Sequence, residues 1–142
     1  MKKMKKSILV FAAIGFIAMA ATTKSLSSEI KVISELKSDK HKACIDACNA
    51  CITSCKKVEA MCSKDKSGKM AECEKLCKEC VTACTKAIKA MSSESKDCKS
   101  VCLDCAKVCE KCATECDKFE MADCKKCATD CRVAAKHCNE MK

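Results

Sequence analysis

The sequence predicts an all-α protein: an antiparallel, up-down-up-down four-helix bundle with a cysteine-lined core, preceded by a short N-terminal amphipathic helix. Three observations predict it. The 19 cysteines among 142 residues fall into four clusters, and within each cluster neighbouring cysteines lie 3, 4 or 7 positions apart. That is the spacing of one stripe on an α-helix, and the period-two alternation of a strand never appears. There is no proline and there are only two glycines, so nothing inside a cluster interrupts a helix. Short polar breaks separate the clusters, and short connections make neighbouring helices antiparallel.

The chain opens with four lysines before residue 7, followed by the apolar run Ser7–Ala20 and the small-x-small sequence Ala18-Met19-Ala20. This order reads as a signal peptide over 1–20, cleaved near Ala20. The apolar run is too short for a transmembrane span; the rival reading is an uncleaved membrane anchor. Export to the periplasm or cell envelope is therefore expected, with no stable membrane insertion after cleavage. Residues 21–38 form an N-terminal segment. Within it Ile30, Ile33 and Leu36 sit at helical spacing, which predicts a short amphipathic helix over Ser28–Lys37 lying across the bundle.

The bundle domain spans 39–142. A first helix over 39–64 carries Cys44, Cys48, Cys51, Cys55 and Cys62, and a second over 69–91 carries Cys73, Cys77, Cys80 and Cys84. The third, over 95–118, carries Cys98, Cys102, Cys105, Cys109, Cys112 and Cys116. The fourth, over 122–140, carries Cys124, Cys127, Cys131 and Cys138. The breaks are Asp65–Gly68, Ser92–Ser95 and a tight turn at Phe119–Ala122, where Ser67, Ser93 or Ser95 can cap the helix that follows.

Composition excludes several functions. Without the leader, 24 basic residues stand against 19 acidic ones, interleaved along the chain, and Phe119 is the one aromatic residue left. Nucleic-acid binding has neither a basic block nor stacking rings to work with. Two histidines and no serine–histidine–acid constellation give no enzyme.

What remains is a column of sulfur. A CxxxC or CxxC pair sets two side chains on one helix about 5–6 Å apart at Cβ, close enough to grip one ion together. Facing helices supply further sulfurs. Thiolates select Cu(I), zinc or iron–sulfur clusters. Exchanging one thiol proton for one Cu(I) leaves the core charge unchanged. A zinc ion held by four thiolates instead carries −2, which accumulates along a dry axis. The bacterial iron–sulfur run ending in Cys-Pro is absent. Multiple Cu(I) ions per chain are therefore expected, held by all nineteen cysteines: roughly nine or ten without bridging and approaching one per thiol with it.

The rivals are a disulfide-stabilised scaffold, a redox-active thiol protein and a zinc or mixed-metal sink. An odd cysteine count and six cysteines on one helix fit cross-helix disulfides poorly. Buried thiols fit redox chemistry poorly.

Extending the stripes reaches His41, Met91 and Met141, which the topology brings to one end with Cys98 and Cys138. Imidazole and thioether suit Cu(I), so this end is a candidate mouth with His41, Met91 and Met141 as further ligands. Equally, the methionines are core filler and His41 a solvated cap. His137 lies one position off the stripe, at the rim. At the other end Met70 and Phe119 read as a hydrophobic plug.

The run CxxxCxxCxxxC, seen at Cys44-Cys48-Cys51-Cys55, at Cys73-Cys77-Cys80-Cys84 and at Cys98-Cys102-Cys105-Cys109, resembles that of the bacterial copper storage proteins. The resemblance implies Cu(I) loaded along the bundle axis, an end with Met and His ligands and often a homotetramer. Beyond copper ions, a copper-requiring enzyme or a chaperone is the expected partner. The leader is similar to that of the exported subgroup, whereas the high cysteine count is closer to the cytosolic one.

Overall fold

The computed structural model describes residues 23–141, with side chains from Ser28 onward. The leader over 1–20 lies outside the described residues. Four helices follow in order: α1 Thr23–Cys62, α2 Ala71–Ser92, α3 Cys98–Cys116 and α4 Ala122–Asn139. Each packs on its two neighbours in the cycle α1–α2–α3–α4–α1, and across the diagonals cysteine side chains meet at the axis, Cys55 with Cys112 and Cys80 with Cys131, each at 3.9 Å. The result is the expected square, antiparallel bundle. No helix among the described residues is long and apolar enough to cross a membrane.

The stretch Ser28–Lys37 is helical, but it is not a separate helix lying across the bundle. It is the first part of α1, which runs 40 residues without interruption. The physical reason is plain in the sequence: between Thr23 and Cys62 there is no proline or glycine to stop the helix. About 18 residues, or roughly 27 Å at 1.5 Å each, therefore project past the bundle. Ile30, Val32, Ile33 and Leu36 remain more than half exposed there.

The connections are tighter than simple serine caps. In the first, the Asp65 carboxylate accepts the Ser67 N–H (3.0 Å), the Ser67 hydroxyl (2.7 Å) and the Met70 N–H (3.2 Å). Gly68 supplies the left-handed residue at φ +72. This knot delays α2 to Ala71, with Met70 at its N-cap and no side-chain cap. The Ser67 and Ser95 hydroxyls each accept the N–H two residues on, at Lys69 and Asp97, instead of capping a helix. The Ser93 hydroxyl faces backward and donates to Lys89 O at 2.9 Å. The end of α2 is closed by Ser95 N–H donating to Ala90 O (3.0 Å), with Glu94 in the left-handed region at φ +50.

The core between the helices holds cysteines, small residues and a few larger fillers. Besides sulfur it contains Val58, Met70, Met91, Met141 and alanines such as Ala87, Ala113 and Ala134; no leucine, isoleucine or phenylalanine is fully buried among the described residues. Ser54 on α1 donates to Asp130 on α4, which also holds Lys126 at 2.8 Å, a polar tie across two helices.

Candidate metal centre

Every cysteine is a free thiol, and all are buried except Cys98, which is half-buried at the end where α3 begins. Because each stripe faces the bundle axis, the sulfurs converge there. Cys51 Sγ lies 3.5 Å from Cys80 Sγ and 3.4 Å from Cys131 Sγ. Cys55 Sγ lies 3.5 Å from Cys127 Sγ, and Cys44 Sγ 3.6 Å from Cys138 Sγ. The chain of contacts continues through Cys80–Cys109 at 3.6 Å, Cys77–Cys112 at 3.7 Å and Cys73–Cys116 at 3.7 Å. Such separations are far from a disulfide's roughly 2.05 Å. They match those across one ion with metal–sulfur bonds of about 2.3 Å.

The shortest sulfur–sulfur contacts run mostly between helices. Apart from Cys105–Cys109 and Cys127–Cys131, the sulfurs in contact come from different helices. Neighbours on one helix sit a little farther apart, yet Cys44 and Cys48, Cys51 and Cys55, and Cys80 and Cys84 still lie within 4.8 Å. Side chains from adjacent helices meet head-on at the axis.

Sets of sulfurs lie mutually within 4.8 Å, close enough to hold an ion together. Starting near the end formed by the α1/α4 cysteines, they are Cys44–Cys48–Cys138, then Cys48–Cys84–Cys105, then Cys51–Cys80–Cys84–Cys109. Next come Cys51–Cys55–Cys80–Cys131 and Cys55–Cys77–Cys112–Cys127. Cys48, Cys51, Cys55, Cys80 and Cys84 each belong to at least two sets. Overlap matters chemically: separate four-thiolate zinc sites cannot share ligands so freely without leaving some ion short, whereas bridged Cu(I) uses every sulfur.

Burial and the neighbouring sulfurs push the thiols in both directions, so some hold their protons tightly and others give them up readily. Burial pushes Cys62 up to about 12, and Cys98 and Cys124 up to about 11. Deeper in, hydrogen bonding to Cys112 raises Cys77, while Cys112, receiving from Cys116, Cys127 and Cys131, is held low. A filling column therefore exchanges ions for protons.

The structure brings His41, Met91 and Met141 to one end. His41 is half-buried and lines one cavity with Cys98 and Met141 and another with Met91. Met91 is 2% and Met141 8% exposed. His137 sits at the rim, with Nδ1 3.8 Å from Glu140 Oε2. At the opposite end Met70 is buried and Phe119 packs against the core, as a plug should. A surface groove between α2 and α3 that reaches Cys105 had no signature in the sequence, because it depends on how two helices abut.

The family model for Csp, the copper storage protein, matches residues 37–142. The chain belongs to the copper storage protein family. Solved structures agree. Cu(I)-bound copper storage protein BsCsp3 is 35% identical with a TM-score of 0.68, covering 72% of this chain and 97% of that one. Apo-Csp3 from Bacillus subtilis is 36% identical with a TM-score of 0.65, covering 70% and 96%. The protein Nmul_A1745 from Nitrosospira multiformis is 30% identical with a TM-score of 0.66, covering 73% and 95%. No curated protein sequence matches the chain. The copper storage family match begins at Lys37, so most of the α1 overhang lies before it.

Proposed function

We propose that this protein is a high-capacity, non-enzymatic store for Cu(I), exported to the periplasm or cell envelope. The observation that carries the reading is the continuous axial column of free thiols in overlapping sets within 4.8 Å. Each ion enters by replacing a thiol proton, so the dry core stays near neutral as it fills. Between roughly ten and nineteen ions fit, depending on how many thiolates bridge. His41, Met91 and Met141 serve as the uptake end, where weaker ligands pass ions inward to sulfur. Export rests on the lysine-led apolar leader and its Ala18-Met19-Ala20 site. A copper-requiring enzyme or a chaperone of the same compartment is the recipient that such a store implies.

Anaerobic titration of the reduced protein with Cu(I), and separately Zn(II), against a competing chelator tests the reading. Uptake of ten or more Cu(I) ions with unchanged helicity supports it. Saturation at one or two ions, or tighter zinc binding at a fixed ratio of four cysteines per ion, contradicts it.

A further inference from the structure

Among the cysteines away from the bundle ends, one lines a surface groove. That residue is Cys105, buried on α3. It forms part of the floor of a groove of about 600 Å³ between α2 and α3. That volume falls in the range of small-molecule sites, roughly 300–1,000 Å³. Resting on the copper-storage reading above, we infer that this groove is a side port. There a low-molecular-mass zwitterionic thiol, an amino acid or short peptide bearing S–H, takes Cu(I) from Cys105.

The walls suit that ligand. Ala83 on α2 and Val101 and Val108 on α3 give an aliphatic lining for its methylene groups. Two of the four charged residues lining the groove are already engaged: Lys78 pairs with Glu74, and Asp104 with Lys107 at 3.0 Å. Lys86 and Glu79, also on the lining, have no ion-pair partner among the described residues. One cation and one anion, both available, complement a carboxylate and an ammonium on one small molecule.

Behind the port, Cys105 Sγ lies 3.7 Å from Cys84 Sγ and 3.8 Å from Cys109 Sγ. Cys105 forms a set with Cys48 and Cys84, and Cys84 also belongs to the next set inward. An ion removed at Cys105 can therefore be replaced from the column. The exchange is redox-neutral. The incoming sulfur forms a bond to Cu(I), the bond from Cu(I) to Cys105 Sγ breaks, and the incoming thiol's proton ends on Cys105. A second thiol molecule repeats the exchange at the remaining protein sulfur and carries the ion away.

The test uses the copper-loaded full chain under anaerobic conditions, with L-cysteine and uncharged 2-mercaptoethanol at equal thiolate concentration. Copper loss should be at least tenfold faster to cysteine. Ala83→Leu, which fills the groove, should slow that loss at least tenfold with the copper stoichiometry unchanged. Lys86→Glu, a surface change that keeps the fold, should slow loss to cysteine at least threefold and leave loss to mercaptoethanol as it was. Equal rates for the two thiols, or equal effects of Lys86→Glu on both, overturn the port. Should Ala83→Leu lose helicity, the Lys86→Glu comparison decides. A chain that takes up no copper at all refutes the storage reading; a loaded chain whose release rates ignore these changes refutes the port alone.

Discussion

At Glu94 a glutamate occupies a left-handed position, φ +50, where glycine carries no Cβ penalty. Glu94→Gly should therefore stabilise the apo bundle by up to about 1 kcal/mol, read from urea unfolding. Cysteines differ in the same local way. Cys55 belongs to two overlapping sets, whereas Cys98 is half-buried at an end. Cys55→Ala should cost one to two Cu(I) ions of capacity and Cys98→Ala at most one, by metal-to-protein ratio after desalting. The identity of the sulfur residues was readable from intervals of 3, 4 and 7 alone. Which sulfur meets which was not, because Cys51–Cys131 and Cys44–Cys138 depend on the relative height of two helices, and no local pattern encodes that.

Among the elements, α1 is the one whose extent the sequence understated. Apolar residues at Ile30, Ile33 and Leu36 pointed to a helix, correctly, but a helix with no breaker continues until something stops it. Their exposure shows that this part contributes little packing to the bundle. Deleting residues 23–36 should leave apo stability within about 0.5 kcal/mol and copper capacity unchanged, measured by unfolding and titration. The start of α2 was misjudged by two residues for a different reason. The Asp65 carboxylate gathers three donors at once, and such a knot involves residues whose types suit a plain turn equally well.

Taken whole, the bundle is packed by small side chains. Its interior lacks fully buried leucine, isoleucine and phenylalanine among the described residues, and sulfur fills the space. Each ion held at a hundredfold over its dissociation constant adds about 2.7 kcal/mol to the native state. Copper loading should therefore raise the Tm by tens of degrees, with helicity barely changed. Without metal the protein should weaken in alkali. Cys62, Cys98 and Cys124 start from an ordinary value near 9 and reach about 12, 11 and 11 in the fold. Between those values the unfolded chain has lost protons that the native one keeps. The stability these three groups contribute is full below about 9 and falls as pH climbs through 11 to 12, which a pH series of apo unfolding curves would show. The central claim is that copper fills the axis of the bundle. A copper-edge anomalous difference map from crystals of the fully loaded protein tests it most directly. The account predicts a row of ten or more peaks threading Cys44 to Cys116 between the helices; one or two peaks, or peaks on the outer faces, would contradict it.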